Sequence, residues 1–243
     1  MHDVQFYTYP PAGVEYDYVL RNIKQNERPC KHQIVDIGIY DLIKPPYMHT
    51  DDKIRRWEQL DPGNGWKVVP DAPDITGEFG VEVDYDNVKY TFELLRELYD
   101  PDDPTHLPVL QSRYQDINSL RDSILKFKKL YGVVDKLGIG SVCRANNIKF
   151  VVRAIRMIRR AFPNTHLHVF GLRFHHLRRV YYYVDSYDTT AWTFPRTGGR
   201  PSCKNKKECT EYFYEYLRCL ESLKQEMNKE KTLWEYVDLD VTK

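Results

Sequence analysis

The sequence predicts an α/β fold built on parallel strands: a (β/α)8 TIM-like barrel, complete or one strand short, with a C-terminal helical extension. Three observations carry that expectation. Short β-rich runs alternate with longer helical ones, a rhythm that implies a parallel sheet covered by helices. The chain has 243 residues, 42% hydrophobic and 29% charged, the size and balance of one large globular domain. Residue types that do chemistry also recur just past the predicted strands, where a parallel barrel gathers its reactive groups.

Taken in order, strands are expected at residues 4–9, 33–40, 66–70, 107–111, 132–139, 166–170 and 181–186, and helices at 51–59, 87–99, 117–131, 144–162 and 173–180. In the helix from Arg144, Ile148, Val151, Val152, Ile155 and Ile158 form an apolar stripe, while Arg153, Arg156, Arg159 and Arg160 decorate the other faces. Seven strands are counted, and the barrel domain is placed at 1–195. The segment 196–243 is read as a basic loop followed by a helix over about 208–229. That helix would pack on the barrel through Phe213, Tyr216, Leu217, Leu220 and Leu223.

No apolar run approaches the roughly 20 residues of a membrane span, and the first thirty residues lack the pattern of a secretory signal. A cytoplasmic protein without a membrane partner is therefore expected. The five cysteines are odd in number and scattered, which favours reduced thiols over a disulfide framework. The net charge of +1 hides an asymmetry: residues 144–207 hold fourteen Lys or Arg against two acids, Asp185 and Asp188, leaving −11 for the rest. A segment of +12 is the footprint of a polyanionic partner or, more plainly, a solvated basic face.

The residues that follow the strands are Asp36 and Tyr40, Asp71 and Asp74, Gln111, Gly140 and Ser141, Phe170 and Gly171, and Asp185 and Asp188. Carboxylates, an amide, glycines and two aromatics at one mouth suit a flat, hydrogen-bonding, stackable ligand, and a purine meets that description. No dinucleotide or P-loop motif is present. His166 and His168 share a strand face, but without a third ligand at metal spacing they read as core or surface histidines. His175 and His176 are expected to face solvent.

In this order, the strand-end residues resemble the tRNA-guanine transglycosylase superfamily, including its DNA-modifying viral and bacterial branch. The resemblance runs over residues 34–196. It implies that Asp36 is a general acid/base, that Tyr40 and Phe170 (in Phe170-Gly171) stack on the base, and that Gly140 and Ser141 bring backbone to it. It further implies that Asp71, with Asp74 as substitute, reads the purine N1 and amine, and that Gln111 reads O6. The nucleophile falls on Asp185 in Val184-Asp185-Ser186, with Asp188 as the alternative. Departures from the family pattern are Ile37 after the first aspartate, Pro73 where the family has cysteine, and Ser141 in place of a glycine.

Bacterial members carry a structural zinc. Here only Cys203, Cys209 and Cys219 could serve, and no histidine follows His176, so neither an intact four-ligand site nor any other cofactor is expected. The implied activity is that of a pentosyltransferase: guanine in DNA is exchanged for a 7-deazaguanine through a covalent aspartyl intermediate. Exchange in tRNA is the first alternative, and a non-catalytic nucleic-acid-binding partner subunit the second. Arg173, Arg178, Arg179, Arg196, Arg200, Lys204, Lys206 and Lys207 would hold phosphates.

Overall fold

A computed structural model describes residues 2–39, 41–44, 46–74, 86–143, 145–193 and 202–240, with side chains to residue 229. Every strand pairing in it is parallel. One sheet has the order β1 (Gln5–Tyr7), β9 (Ser186–Asp188), β8 (His166–Val169), β7 (Lys136–Ile139), β6 (Val109–Leu110). The other runs β2 (Tyr18–Asn22), β3 (His32–Asp36), β4 (Gly65–Val68), β5 (His106–Leu107). Six α-helices are found among the described residues: α1 (Asp51–Glu58), α2 (Asn87–Leu98), α3 (Ile117–Tyr131), α4 (Ile148–Ala161), α5 (Phe174–Val180) and α6 (Lys206–Asp240). None is long and apolar enough to cross a membrane.

The two sheets touch at both edges. Thr8, just past β1, makes a parallel bridge to Val19 of β2, and β5 and β6 are separated only by Pro108, which has no N–H to donate to a ladder. Two apolar layers follow. The larger lies between strands and helices and includes Phe127, Val151, Ile155, Leu167 and Phe213. The smaller joins inward-facing residues of both sheets: Tyr7, Ile34, Val68, Leu107 and Val109, with Leu20 and Phe170 against them. Aromatic contacts cross the same interior, Tyr7 to His168 at 5.5 Å and Trp66 to His166 at 5.0 Å between ring centroids.

The expected elements are present at shifted bounds, with strand 33–40 ending at Asp36 and strand 107–111 broken at Pro108 into β5 and β6; five further corrections follow. β2 was not anticipated; its YVLRN sequence alternates half-buried and buried positions, but it is short and carries an arginine. The strand expected at 181–186 begins only at Ser186, because Tyr181–Tyr183 continue α5 as a 3-10 turn. There, packing of the buried Tyr181 and its hydrogen bond to the His2 carbonyl, 3.1 Å, override the β-propensity of three tyrosines. α4 begins at Ile148 rather than Arg144, since Asn147 caps the Lys149 N–H at 3.0 Å. Cys203 and Cys209 form a disulfide, with Cα atoms 5.0 Å apart, where free thiols were expected; six residues of separation and the start of α6 bring them within reach. His176 is buried and only His175 faces solvent.

Candidate active site

Because all strands run the same way, their carboxyl ends share one rim. β3 ends on Asp36 and β9 on Asp188, while Gln111, Gly140 and Phe170 directly follow β6, β7 and β8. These five residues, with Asp71 and Gly171, line one cavity of about 160 Å³. Its apolar wall includes Leu20, Ile39 and Val68, facing a lining that holds three carboxyl groups.

The polar groups are held rather than loose. Gln111 donates from Nε2 to Asp71 Oδ2, and its Oε1 accepts from Ser141 Oγ at 3.3 Å. Ser141 Oγ in turn accepts from the Ser112 N–H. Ser141 thus stands behind Gln111 and is not part of the cavity wall, contrary to its expected backbone contact with a ligand. Gly140 is required by this packing: a Cβ there would lie 2.1 Å from Gln111 Nε2. Gly171 has φ +62, and its N–H donates to Asp188 Oδ1 at 3.0 Å, so the turn that needs a glycine also orients the carboxylate.

Charge at the rim is concentrated and partly suppressed. Burial raises the Asp36 carboxyl above the ordinary carboxylate range; its hydrogen bond from the Gly38 N–H, 3.1 Å, opposes this, and the Asp188 charge adds to it. Burial and the neighbouring Asp36 charge push Asp71 up to about 7, against the pull of Gln111. Lys53 supplies a buried cation nearby, donating to the Gly38 carbonyl at 2.9 Å and pairing with Asp41 at 3.1 Å. Two acids disposed to carry protons beside a third carboxylate are the pattern expected of proton-transfer sites.

Sequence reasoning missed what lies beneath Asp188. His168 is fully buried; its Nδ1 is 2.9 Å from Ser186 Oγ, which is 2.8 Å from His166 Nε2. His168 Nε2 stands 3.5 Å from Asp188 Oδ1 without a hydrogen-bond partner of its own. Burial pulls His166 down to about 4, so it is neutral at physiological pH. The alternation of His166 and His168 with Ser186 and Asp188 on the paired strand was the available signal, since residues two apart share a face.

The structure does not bring Asp185 to this rim. Asp185 precedes β9 at the opposite, amino end, where its N–H donates to the Leu167 carbonyl at 3.1 Å. Its Oδ2 accepts from Arg159 and from the Leu167 N–H, the latter at 2.8 Å. The other Arg159 donors are taken by the carbonyls of Tyr183, Phe162, Pro163 and Thr165. Asp185 is therefore a structural ion pair, and the misplaced start of β9 is why it read as a strand-end residue. Asp188, the alternative nucleophile, takes the position at the cavity. Asp74 is occupied as acceptor for the Tyr114 N–H at 2.9 Å.

The chain matches no protein-family model and no curated protein.

Of the expected phosphate contacts, Arg173 lies beside the cavity, in a groove of about 540 Å³ with His175, Thr189 and Thr190 that shares Gly171 and Asp188 with it. Arg178 pairs with Glu226 of α6, and Arg179 lines a different groove, on α4. Lys204, Lys206 and Lys207 are exposed at the start of α6. Tyr40, Arg196 and Arg200 lie outside the described residues. Cys219 does not join the Cys203–Cys209 disulfide and is a free thiol, and no cluster of three or more His, Cys, Asp or Glu able to hold a metal occurs among the described residues.

Proposed function

We propose that the protein exchanges guanine in DNA for a 7-deazaguanine, with Asp188 as nucleophile and Asp36 as general acid/base, on an eight-stranded (β/α) barrel formed by the two sheets together. The bridge between Thr8 and Val19, the single-residue break at Pro108 and the interior cluster drawn from both sheets support the barrel. The observation that carries the function is the meeting of Asp36 and Asp188, ends of two distant strands, in one small cavity with Asp71, Gln111 and Phe170.

In this reading the target nucleotide leaves the stack, which costs a few kcal/mol, and its base enters beside Phe170. Asp71 accepts from the N1–H and exocyclic amine while the Gln111 amide turns from Asp71 to O6. Asp188 attacks C1′, and the C1′–N9 bond breaks as its electron pair leaves with the base. Asp36, whose carboxyl burial pushes above the ordinary range, gives that base its proton. A negative oxygen under a cationic, oxocarbenium-like sugar stabilises charge as it develops. The incoming base then loses its N9 proton to Asp36 and displaces Asp188 from C1′. The groove holding Arg173, Thr189 and Thr190 lies where the sugar and its phosphates would follow.

The test is exchange of labelled guanine or a labelled 7-deazaguanine into duplex DNA and into bulk tRNA. Label should enter DNA, and Asp188→Asn and Asp36→Asn should abolish entry while Asp185→Asn retains it. Label entering tRNA alone replaces the substrate. No exchange into either, with binding intact, favours the partner-subunit reading.

A further inference from the structure

A second basic feature lies away from the cavity, on the outer face of α4. Lys149, Arg153, Arg156 and Arg160 follow one another at i, i+4, i+7 and i+11, a single stripe along the helix. With Arg179 of α5 they line an open groove of about 900 Å³ whose floor is Ile148, Val152 and Met157 and which, among the described residues, no acidic side chain lines. Among the described residues Lys149, Arg153, Arg160 and Arg179 have no ion-pair partner, and Arg156 lies over the Tyr183 ring, 4.9 Å from its centroid. Arg159, on the same helix, shows the contrast: its donors are consumed by carbonyls and by Asp185. Like charges three and four apart on a helix repel and cost stability, so a row of four left uncompensated indicates a counter-charge from outside.

The geometry points to a nucleic-acid backbone, specifically duplex DNA, as the occupant of this groove. Eleven residues of helix at 1.5 Å each carry the stripe over about 16 Å, the axial length of about five phosphates of one strand. The apolar floor, flanked by cations, suits sugar edges between phosphates. α4 starts just after the β7 carboxyl end and finishes before β8 begins, so the stripe runs from the cavity rim down the flank of the barrel. DNA would reach it with the duplex that flanks the extruded nucleotide. The inference rests on the nucleic-acid part of the reading above and not on the chemistry at Asp36 and Asp188.

Anisotropy titrations of a labelled 30-base-pair duplex over a range of salt concentrations test it. Replacing Lys149, Arg153, Arg156, Arg160 and Arg179 together by Gln should flatten the slope of log K against log salt by about 3–4 and weaken low-salt binding roughly 100-fold or more. The charge-keeping variant R153K/R156K/R160K should bind like the native protein, which separates lost charge from a damaged helix. An unchanged slope overturns the inference. So does loss of binding to a polyglutamate peptide with DNA binding retained, which would make the groove a protein-docking surface. A slope that falls in a protein showing no base exchange leaves the groove standing and removes only the catalytic reading; exchange in the native protein with an unchanged slope does the reverse.

Discussion

Two aspartates three residues apart, Asp185 and Asp188, sit at opposite ends of β9 and have opposite surroundings. Asp185 is met by Arg159 and a backbone N–H, and its side chain is 32% exposed. Asp188, 15% exposed, receives one N–H from Gly171 and an unfilled approach from a buried histidine, and otherwise opens on the cavity. A carboxylate already saturated by a guanidinium has its charge spent on holding the fold. One that opens on the cavity beside two carboxyl groups raised by burial keeps it for a ligand. In a parallel sheet the end of the strand, rather than the residue type, decides which of the two an aspartate becomes.

The sharpest way to break that comparison is to neutralise each aspartate in turn. On the proposed reading, Asp188→Asn should lower base exchange at least about 1,000-fold with little change in melting temperature, since a carboxamide would not form the glycosyl ester. Asp185→Asn should leave exchange within a few-fold of native. Equal losses from both substitutions, or the larger loss at Asp185, would remove the distinction. The converse is read in stability: Arg159→Ala strips hydrogen bonds from four carbonyls and leaves Asp185 without its cation, and should cost about 3 kcal/mol in chemical denaturation. A cost under about 1 kcal/mol would mean that the pair does not anchor the amino ends of the strands.

How far these roles were legible in the sequence depends on what fixes each residue. Asp36, Asp71, Gln111, Gly140, Phe170 and Gly171 line one cavity, and the apolar runs before them are legible, but their bounds are not: 33–40 stops at Asp36 and 107–111 breaks at Pro108. β9 has three residues and follows a tyrosine triplet whose β-propensity points the wrong way, so the pattern starts the strand too early, and the family-like Val184-Asp185-Ser186 favours Asp185 over Asp188. β2 escaped because its alternation includes Arg21, buried with hydrogen bonds to Gln33, 2.9 Å, and to Glu27, a partnership invisible without the fold. The His168–Ser186–His166 chain is hidden for the same reason, since it depends on which distant segments become neighbours; the disulfide is local and depends on how the chain turns into α6.

Titration sharpens the contrast further. Asp71 has a folded-state value of about 7 against 3.8 for a free side chain. A raised acid favours the folded state fully only below about pH 4, and that contribution is lost as pH rises through 7. Asp71→Asn, which cannot ionise, should therefore lose less stability than the native protein between pH 4 and 7. The difference reaches up to about 4 kcal/mol at 1.36 kcal/mol per unit, and less where the open side of the cavity hydrates the carboxylate. Urea denaturation at pH 4, 5.5 and 7.5 measures it, and parallel curves for the two proteins would contradict the burial of that carboxyl group.

The smallest expected effect is the most local. Gly140→Ala puts a methyl group where Gln111 Nε2 lies, 2.1 Å from the new Cβ, so either the backbone or the amide must move. The amide is the softer partner, because Ser141 holds it by one long bond of 3.3 Å and Asp71 by another hydrogen bond. On the proposed reading, displacing it removes the group that would read O6 and leaves the carboxyl groups of Asp36 and Asp188 in place. KM for guanine should rise roughly 10-fold, about 1.4 kcal/mol of lost hydrogen bonding, while kcat stays near native. A fall in kcat with unchanged KM would show instead that Gln111 acts on the reacting carboxylates through Asp71 and that base selection lies elsewhere in the cavity.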